Sequence, residues 1–285
     1  MKFVDVTNDI AFRKIFGNEN KKVSLISFLN AVIKLPDNRE ITDVKIENSF
    51  QLPNFDGGKS TIVDVKATDQ AGNTFIVEMQ VAEADSFAKR VLYYTSQSYS
   101  SQISRGEDYH KLQPAYFIGI LDFIIGSNPN YVSCHKVIDV ETGEHIIRDV
   151  EFNFIELPKF DKTISELETN IDQWTYFIKN AENLEVIPDN VNDEGLKEAY
   201  LGAERHSWTK AELDDYLRAS IKIRDDIGRL ILAERRGEAK GEARGEARGE
   251  AKTTKAIALK LKNSGASYEL ISETTGLSIA EIEQL

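Results

Sequence analysis

Apolar and polar residues alternate through residues 61–81, reading TIVDVKATDQAGNTFIVEMQV, and a period of two predicts a β-hairpin. In the first arm Val63 and Val65 stand against Ile62, Asp64 and Lys66. In the second, Phe75, Val77, Met79 and Val81 stand against Thr74, Ile76, Glu78 and Gln80. One face is apolar and the other carries the polar groups. Asp69-Gln70-Ala71-Gly72-Asn73 fits the turn, with Gly72 at a positive φ. That turn pairs Asp69 with Asn73 and carries Asp64 directly opposite Glu78.

Elsewhere the spacing is helical or continuously apolar. A first helix is predicted from an N-cap at Thr7 or Asn8 to Gly17, with Ile10, Ile15 and Phe16 inward. A second spans 22–33 with Val23, Ile26, Leu29 and Ile33 on one stripe. Residues 41–50 read as a strand and 53–58 as a loop leading into the hairpin. After the hairpin, Asp85 or Ser86 caps a helix to about residue 105 whose stripe is Phe87, Val91, Tyr94, Ser98 and Ser101. Residues 114–125, PAYFIGILDFII, are nearly all apolar, as a strand buried on both faces requires. Strands at 131–140 and 145–157 flank a turn at 141–144.

Beyond Asp161 strand patterns cease. Residues 164–180 and 193–201 read as helices, and Thr209 with Glu212 forms a capping box for a helix over 210–236. Its inward stripe takes in Leu213, Tyr216, Leu217, Ile223, Ile227, Leu230 and Ile231. The predicted class is α/β, a mixed sheet flanked by helices followed by a helical C-terminal region. The division is 1–160 as the core, 161–236 as a helical subdomain, 237–252 as a repeat and 253–285 as a small module.

Composition narrows the choice. With 285 residues, 41% hydrophobic and 29% charged, the chain has the make-up of a water-soluble protein with a sizeable core. No apolar run is long enough to span a bilayer and the first residues do not read as a signal peptide, so no membrane partner and a cytoplasmic location are expected. The single cysteine, Cys134, excludes an internal disulfide and reads as a strand residue. A formal net charge of −12 argues against coating nucleic acid by charge alone, while leaving room for one local basic groove.

The opposed Asp64 and Glu78 are the candidate chemistry. Directly paired residues in an antiparallel ladder have Cβ atoms about 4.5–5.5 Å apart, where like charges destabilise. A hard divalent cation such as Mg²⁺ would offset that repulsion, with water and substrate phosphate completing its shell. The plainer reading is a solvated polar face of an edge hairpin, and spacing alone decides for neither. Gln80 shares the side of Glu78. Asp9, in the first turn of helix one, is accounted for by the helix dipole.

Asp64-Val65-Lys66 and Glu78-Met79-Gln80, preceded by Asn8-Asp9-Ile10-Ala11-Phe12-Arg13-Lys14-Ile15-Phe16-Gly17, resemble the recombination-promoting nuclease and transposase family of the PD-(D/E)XK nuclease superfamily. The resemblance runs through Phe160 and more loosely into the helical tail. It implies a restriction-endonuclease-like core and a metal-dependent DNA endonuclease serving recombination, transposition or mobile-element biology. Asp64, Glu78 and the carbonyl of Met79 would hold Mg²⁺ or Mn²⁺, with Asp64, Glu78 and Gln80 catalytic. Gln80 stands where the commoner pattern has a lysine; an amide orients water but brings no charge, which Lys66 on the same face could supply. Asp9 is a secondary candidate as an accessory acid, and the helix after the hairpin offers Arg90 and Gln97. The alternative is a catalytically weak DNA-binding or assembly protein on the same fold.

Residues 237–252 repeat Gly-Glu-Ala-Lys/Arg four times. Each glycine costs a helix about 1 kcal/mol against alanine. A flexible charged spacer is one reading; the other is a helix that pairs in parallel with a second copy along its glycine stripe, giving a homodimer. A continuous but frayed helix is the expectation here. Residues 253–285 read as a helix-turn-helix-like unit, with Gly265 and Gly276 at the turns and a capping box at Ser278 and Glu281. Its last helix lacks base-reading side chains, which favours packing or assembly.

Overall fold

The computed structural model of the chain describes residues 2–51, 61–82 and 86–285. The loop at 53–58 and the alternative cap Asp85 lie outside the described residues. Two units are distinguished, Met1–Ile223 and Arg224–Leu285.

In the first unit, α1 (Asp9–Phe16) starts at Asn8, whose side chain accepts from the Ile10 N–H at 2.9 Å, and stops at Gly17. α2 (Val23–Val32) buries Ser24, Leu25, Phe28, Leu29 and Val32. Its core stripe is rotated from the expected one and leaves Val23 41% exposed, since turning Phe28 inward covers more apolar surface than turning Val23 would.

The predicted strand over 41–50 divides into β1 (Val44–Glu47) and the first residue of β2 (Phe50–Gln51). The first hairpin arm also divides. β3 (Thr61–Ile62) pairs with β2 in a two-stranded sheet, and β4 (Val65–Asp69) begins only after Asp64. β4 and β5 (Thr74–Gln80) pair antiparallel from Val65↔Val77 to Thr68↔Thr74, the register set by the turn. The Asp69 N–H reaches the Asn73 carbonyl at 3.0 Å and Gly72 has φ +90°, as expected.

β6 (Ala115–Leu121), buried along its whole length as the apolar run predicts, and β8 (Val150–Glu156) continue the sheet in parallel. β7 (Val132–Lys136), which contains Cys134, closes it antiparallel to β8. The order is β1-β4-β5-β6-β8-β7, a mixed six-stranded sheet.

Helices cover both faces. On one, Val65, Ala67, Phe75, Val77 and Met79 join Phe12, Phe16, Leu25 and Phe28, together with residues of α4 (Asn170–Asn180) and α5 (Glu194–Ala203). Trp174 of α4 donates to Ser27 at 3.1 Å, and Gly195 of α5 lies so close to α2 that a Cβ would come within 2.5 Å of the Val23 carbonyl oxygen. On the other face, α3 (Phe87–Ser100) lays Phe87 and Val91 over Val63, Ile76, Phe117, Leu121 and Phe154. The expected polar face of the hairpin is therefore a second core as far as Ile76, because α3 covers it. Val63 packs on the face opposite Val65, so strict alternation fails between them.

α6 (Lys210–Asn263) begins at the predicted capping box, in which the Thr209 N–H donates to Glu212 at 2.7 Å. Lys14 pairs with Glu212 at 2.5 Å, and with Thr209 holds that carboxyl down to about 2. Asn8 donates to Ser220 at 2.9 Å, and the Asp5 N–H donates to the hydroxyl of the buried Tyr216 at 3.0 Å. Only the start of the expected inward stripe is covered: Leu217, Leu230 and Ile231 are about half exposed, at 50%, 52% and 46%.

In the second unit α6 runs on without a break through the repeat and ends at Asn263. α7 (Tyr268–Thr275) and α8 (Ile279–Glu283) fold back so that Ala258, Ile271 and Ile282 form a small core. Gly265 and Gly276 have positive φ, and Ser278 with Glu281 makes the predicted capping box. Among the described residues no helix is long and apolar enough to cross a membrane.

Candidate active site

The β4–β5 ladder gives out at Val65↔Val77, and the site begins there. Along β5 the Thr74 N–H turns to the β6 side, where it meets the Pro114 carbonyl at 2.8 Å. By alternation the N–H and carbonyl of Met79 turn to the β4 side, past the last ladder pair. The Asp64 carboxylate occupies that place, and its Oδ2 accepts the Met79 N–H at 2.9 Å. A side chain thus continues the ladder where the backbone stops, which fixes Asp64 beside Glu78.

Asp64, Glu78, Met79 and Gln80 line a pocket of about 390 Å³ together with Asp9 and Arg13 of α1, Arg90 and Tyr94 of α3, and Ile62, Val81 and Ile223. Asp9, which the helix dipole alone would explain, faces the same space. Burial and then the Asp64 carboxylate push its carboxyl above the ordinary range, against the pull of Arg13 and Lys222. Burial first, and Asp64 second, push Glu78 well above the usual carboxylate range, with Arg90 and Arg13 opposing. Glu78 Oε1 is buried, with no hydrogen-bond partner among the described residues.

Gln80 donates to the Ala82 carbonyl at 2.9 Å and accepts from Arg90 Nη2. Lys66, expected to bring charge to this group, pairs instead with Glu47 at 3.0 Å and lies outside the pocket lining. Glu47, across the β1–β4 ladder in direct register with Lys66, draws it away. Among the described residues the cations lining the pocket are Arg13 and Arg90. Arg90 was legible as a helix residue near the site. Arg13 was not singled out, although it lies four residues after Asp9 and therefore on the same helical face.

The candidate ligands that line this pocket offer oxygens, two carboxylates and a backbone carbonyl. That set suits a hard cation such as Mg²⁺ or Mn²⁺, which keeps several waters, and an unpartnered buried carboxylate oxygen is what such an ion would satisfy. Among the described residues no three His, Cys, Asp or Glu side chains converge to hold an ion by themselves. Bound there, an ion would depend on water and substrate for the rest of its shell.

No curated protein and no solved structure matches the chain. One family model does, that of the PD-(D/E)XK nuclease family transposase, over residues 6–232. The match takes in α1, the whole six-stranded sheet, every residue of the pocket and the first part of α6. The chain belongs to the PD-(D/E)XK nuclease family transposases.

Proposed function

We propose that this protein is a metal-dependent DNA endonuclease that hydrolyses phosphodiester bonds in transposition, working at the pocket of Asp64 and Glu78. The observation that carries the reading is the pair itself, two opposed carboxylates of which one has a buried oxygen without a partner among the described residues. Asp64, Glu78 and the Met79 carbonyl would hold Mg²⁺ or Mn²⁺, which when bound supplies a Lewis acid for phosphate and water. Beyond its bonds to Ala82 and Arg90, the Gln80 amide has a second lone pair and a second hydrogen with which it would orient water. Arg90, held against Gln80, brings the charge that the amide lacks. Arg13 and Arg90 in the lining, with the charge of Lys222 acting on Asp9, are the local basic character that a protein of net charge −12 needs to meet a phosphate backbone.

Incubating the full chain with supercoiled plasmid and Mg²⁺ or Mn²⁺ tests this. Nicking that stops in chelator is expected. DNA binding without cleavage under either ion would replace the reading with a DNA-binding or assembly role for the same fold.

A second copy of the chain is the partner that the exposed part of α6 fits best. Leu230, Ile231 and Leu232 are about half exposed, and a Cβ built on Gly237, Gly241, Gly245 or Gly249 meets no described atom within 4 Å. Glu and Lys/Arg recur beside those glycines, so two parallel copies would be complementary in charge. Exposed ion pairs contribute about 0–1 kcal/mol each, so the Leu and Ile residues would supply most of the association. Sedimentation equilibrium of the full chain is expected to show a dimer that Leu230→Glu with Ile231→Glu dissociates; a monomer at high concentration and low salt would remove the second copy.

A further inference from the structure

Asp64 has both oxygens engaged, by partners of very different stiffness. Oδ2 accepts from Met79, a residue fixed within a central strand, at 2.9 Å. Oδ1 accepts from Arg13 twice, from Nε at 3.2 Å and from Nη2 at 2.9 Å. Arg13 reaches Asp64 from a helix and not from the sheet, and its side chain is 44% exposed against 7% for Asp64. Of the two partners, Arg13 alone can withdraw without disturbing the sheet.

The guanidinium also serves the whole cluster. Its charge favours the ionised forms of Asp9 and Glu78 as well as pairing with Asp64. Those are the carboxylates that an ion in the pocket would neutralise. Arg13 cannot make room by losing its proton, because a guanidinium stays charged in proteins. A divalent ion held by Asp64 Oδ1 would therefore have to compete with a cation already in place.

We propose that Arg13 is the built-in counter-ion of the metal-free site and that it competes with a divalent ion for Asp64 Oδ1. The inference rests on the metal site proposed above. Arg13 acts in it as a positioning residue that holds Asp64 in the metal-free site.

Calorimetric titration of the full chain with Mn²⁺, without DNA, tests the competition directly. Arg13→Gln removes the competitor and is expected to bind Mn²⁺ about three- to tenfold more tightly than the native chain. Its melting temperature in chelator should fall, and the gap should close in saturating Mn²⁺. Arg13→Lys keeps the charge but not the two-pronged donor, and is expected to bind about twofold more tightly. It serves as the reading should Arg13→Gln not fold without metal. Equal or weaker Mn²⁺ affinity in the folded variant overturns the inference. If Asp64→Ala loses Mn²⁺ binding in the same experiment, the metal site survives that failure; if the native chain binds no Mn²⁺ at all, both fall.

Discussion

One hairpin buries a carboxylate near each of its ends, and the fold treats the two in opposite ways. At the turn, Asp69 is 7% exposed and accepts from the Ala71 N–H at 2.8 Å, the Asn73 N–H at 2.9 Å and the Asn73 amide at 2.8 Å. At the open end, Glu78 has a buried oxygen with no partner among the described residues and faces another carboxylate across the strand gap. A buried acid with donors for both its oxygens is part of the scaffold; one with a buried oxygen left over is destabilising until something satisfies it. The contrast separates structural acids from candidate ligands more sharply than burial alone does.

Activity gives the widest separation. Asp64→Ala and Glu78→Ala should each lower metal-dependent plasmid nicking by about a hundredfold or more while the fold is kept. Undiminished nicking by either purified variant would sink the assignment. Asp69→Asn should fold less stably yet nick at a rate near that of the native chain when compared below its melting temperature.

Stability should show the same contrast with the sign reversed. Asp69→Ala strands three donors, two of them backbone N–H groups in the turn, and is expected to cost about 2 kcal/mol in urea unfolding. Glu78→Gln removes the charge but keeps the shape, so in chelator its stability should equal or exceed that of the native chain. Equal losses in both variants would show that the open end is as well satisfied as the turn.

A smaller effect is expected at Gln80. Gln80→Ala should slow cleavage by about tenfold while Mn²⁺ affinity changes little, since the amide is assigned to water and not to the ion. A loss of affinity like that of Asp64→Ala would make Gln80 a ligand.

The smallest effect concerns Asp172, a third buried acid, 1% exposed. Burial raises its carboxyl, but Lys162, Tyr131 and Thr169 outweigh burial and hold it far below the ordinary 3.8. The stability it contributes is complete above that value and is lost as pH falls below it, toward the folded-state value. Urea midpoints measured at about pH 5 and about pH 3 should therefore differ more for the native chain than for Asp172→Asn. Parallel slopes would remove the role given to Lys162 and Tyr131.

The sequence by itself determined what depends on near neighbours. A side-chain period of two and a glycine that tolerates φ +90° are enough to set the β4–β5 register, which brings Asp64 opposite Glu78. The caps of α1, α6 and α8 were legible because an N-cap is chosen by residues within one turn of it. The apolar run of β6 announced its burial.

What only the tertiary structure decided is which faces meet. Val63 and Val65 lie on opposite faces because the first arm breaks to pair β3 with β2, which alternation does not encode. Lys66 pairs with Glu47 because β1 lies alongside β4. Arg13 and Asp64 are 51 residues apart in the chain, and packing α1 against the sheet joins them. α3, lying on the other face, brings Arg90 to Gln80. A local period fixes which side of its own element a residue takes; the partner it finds there is settled by how the elements pack, a long-range outcome of burying both faces of the sheet at once.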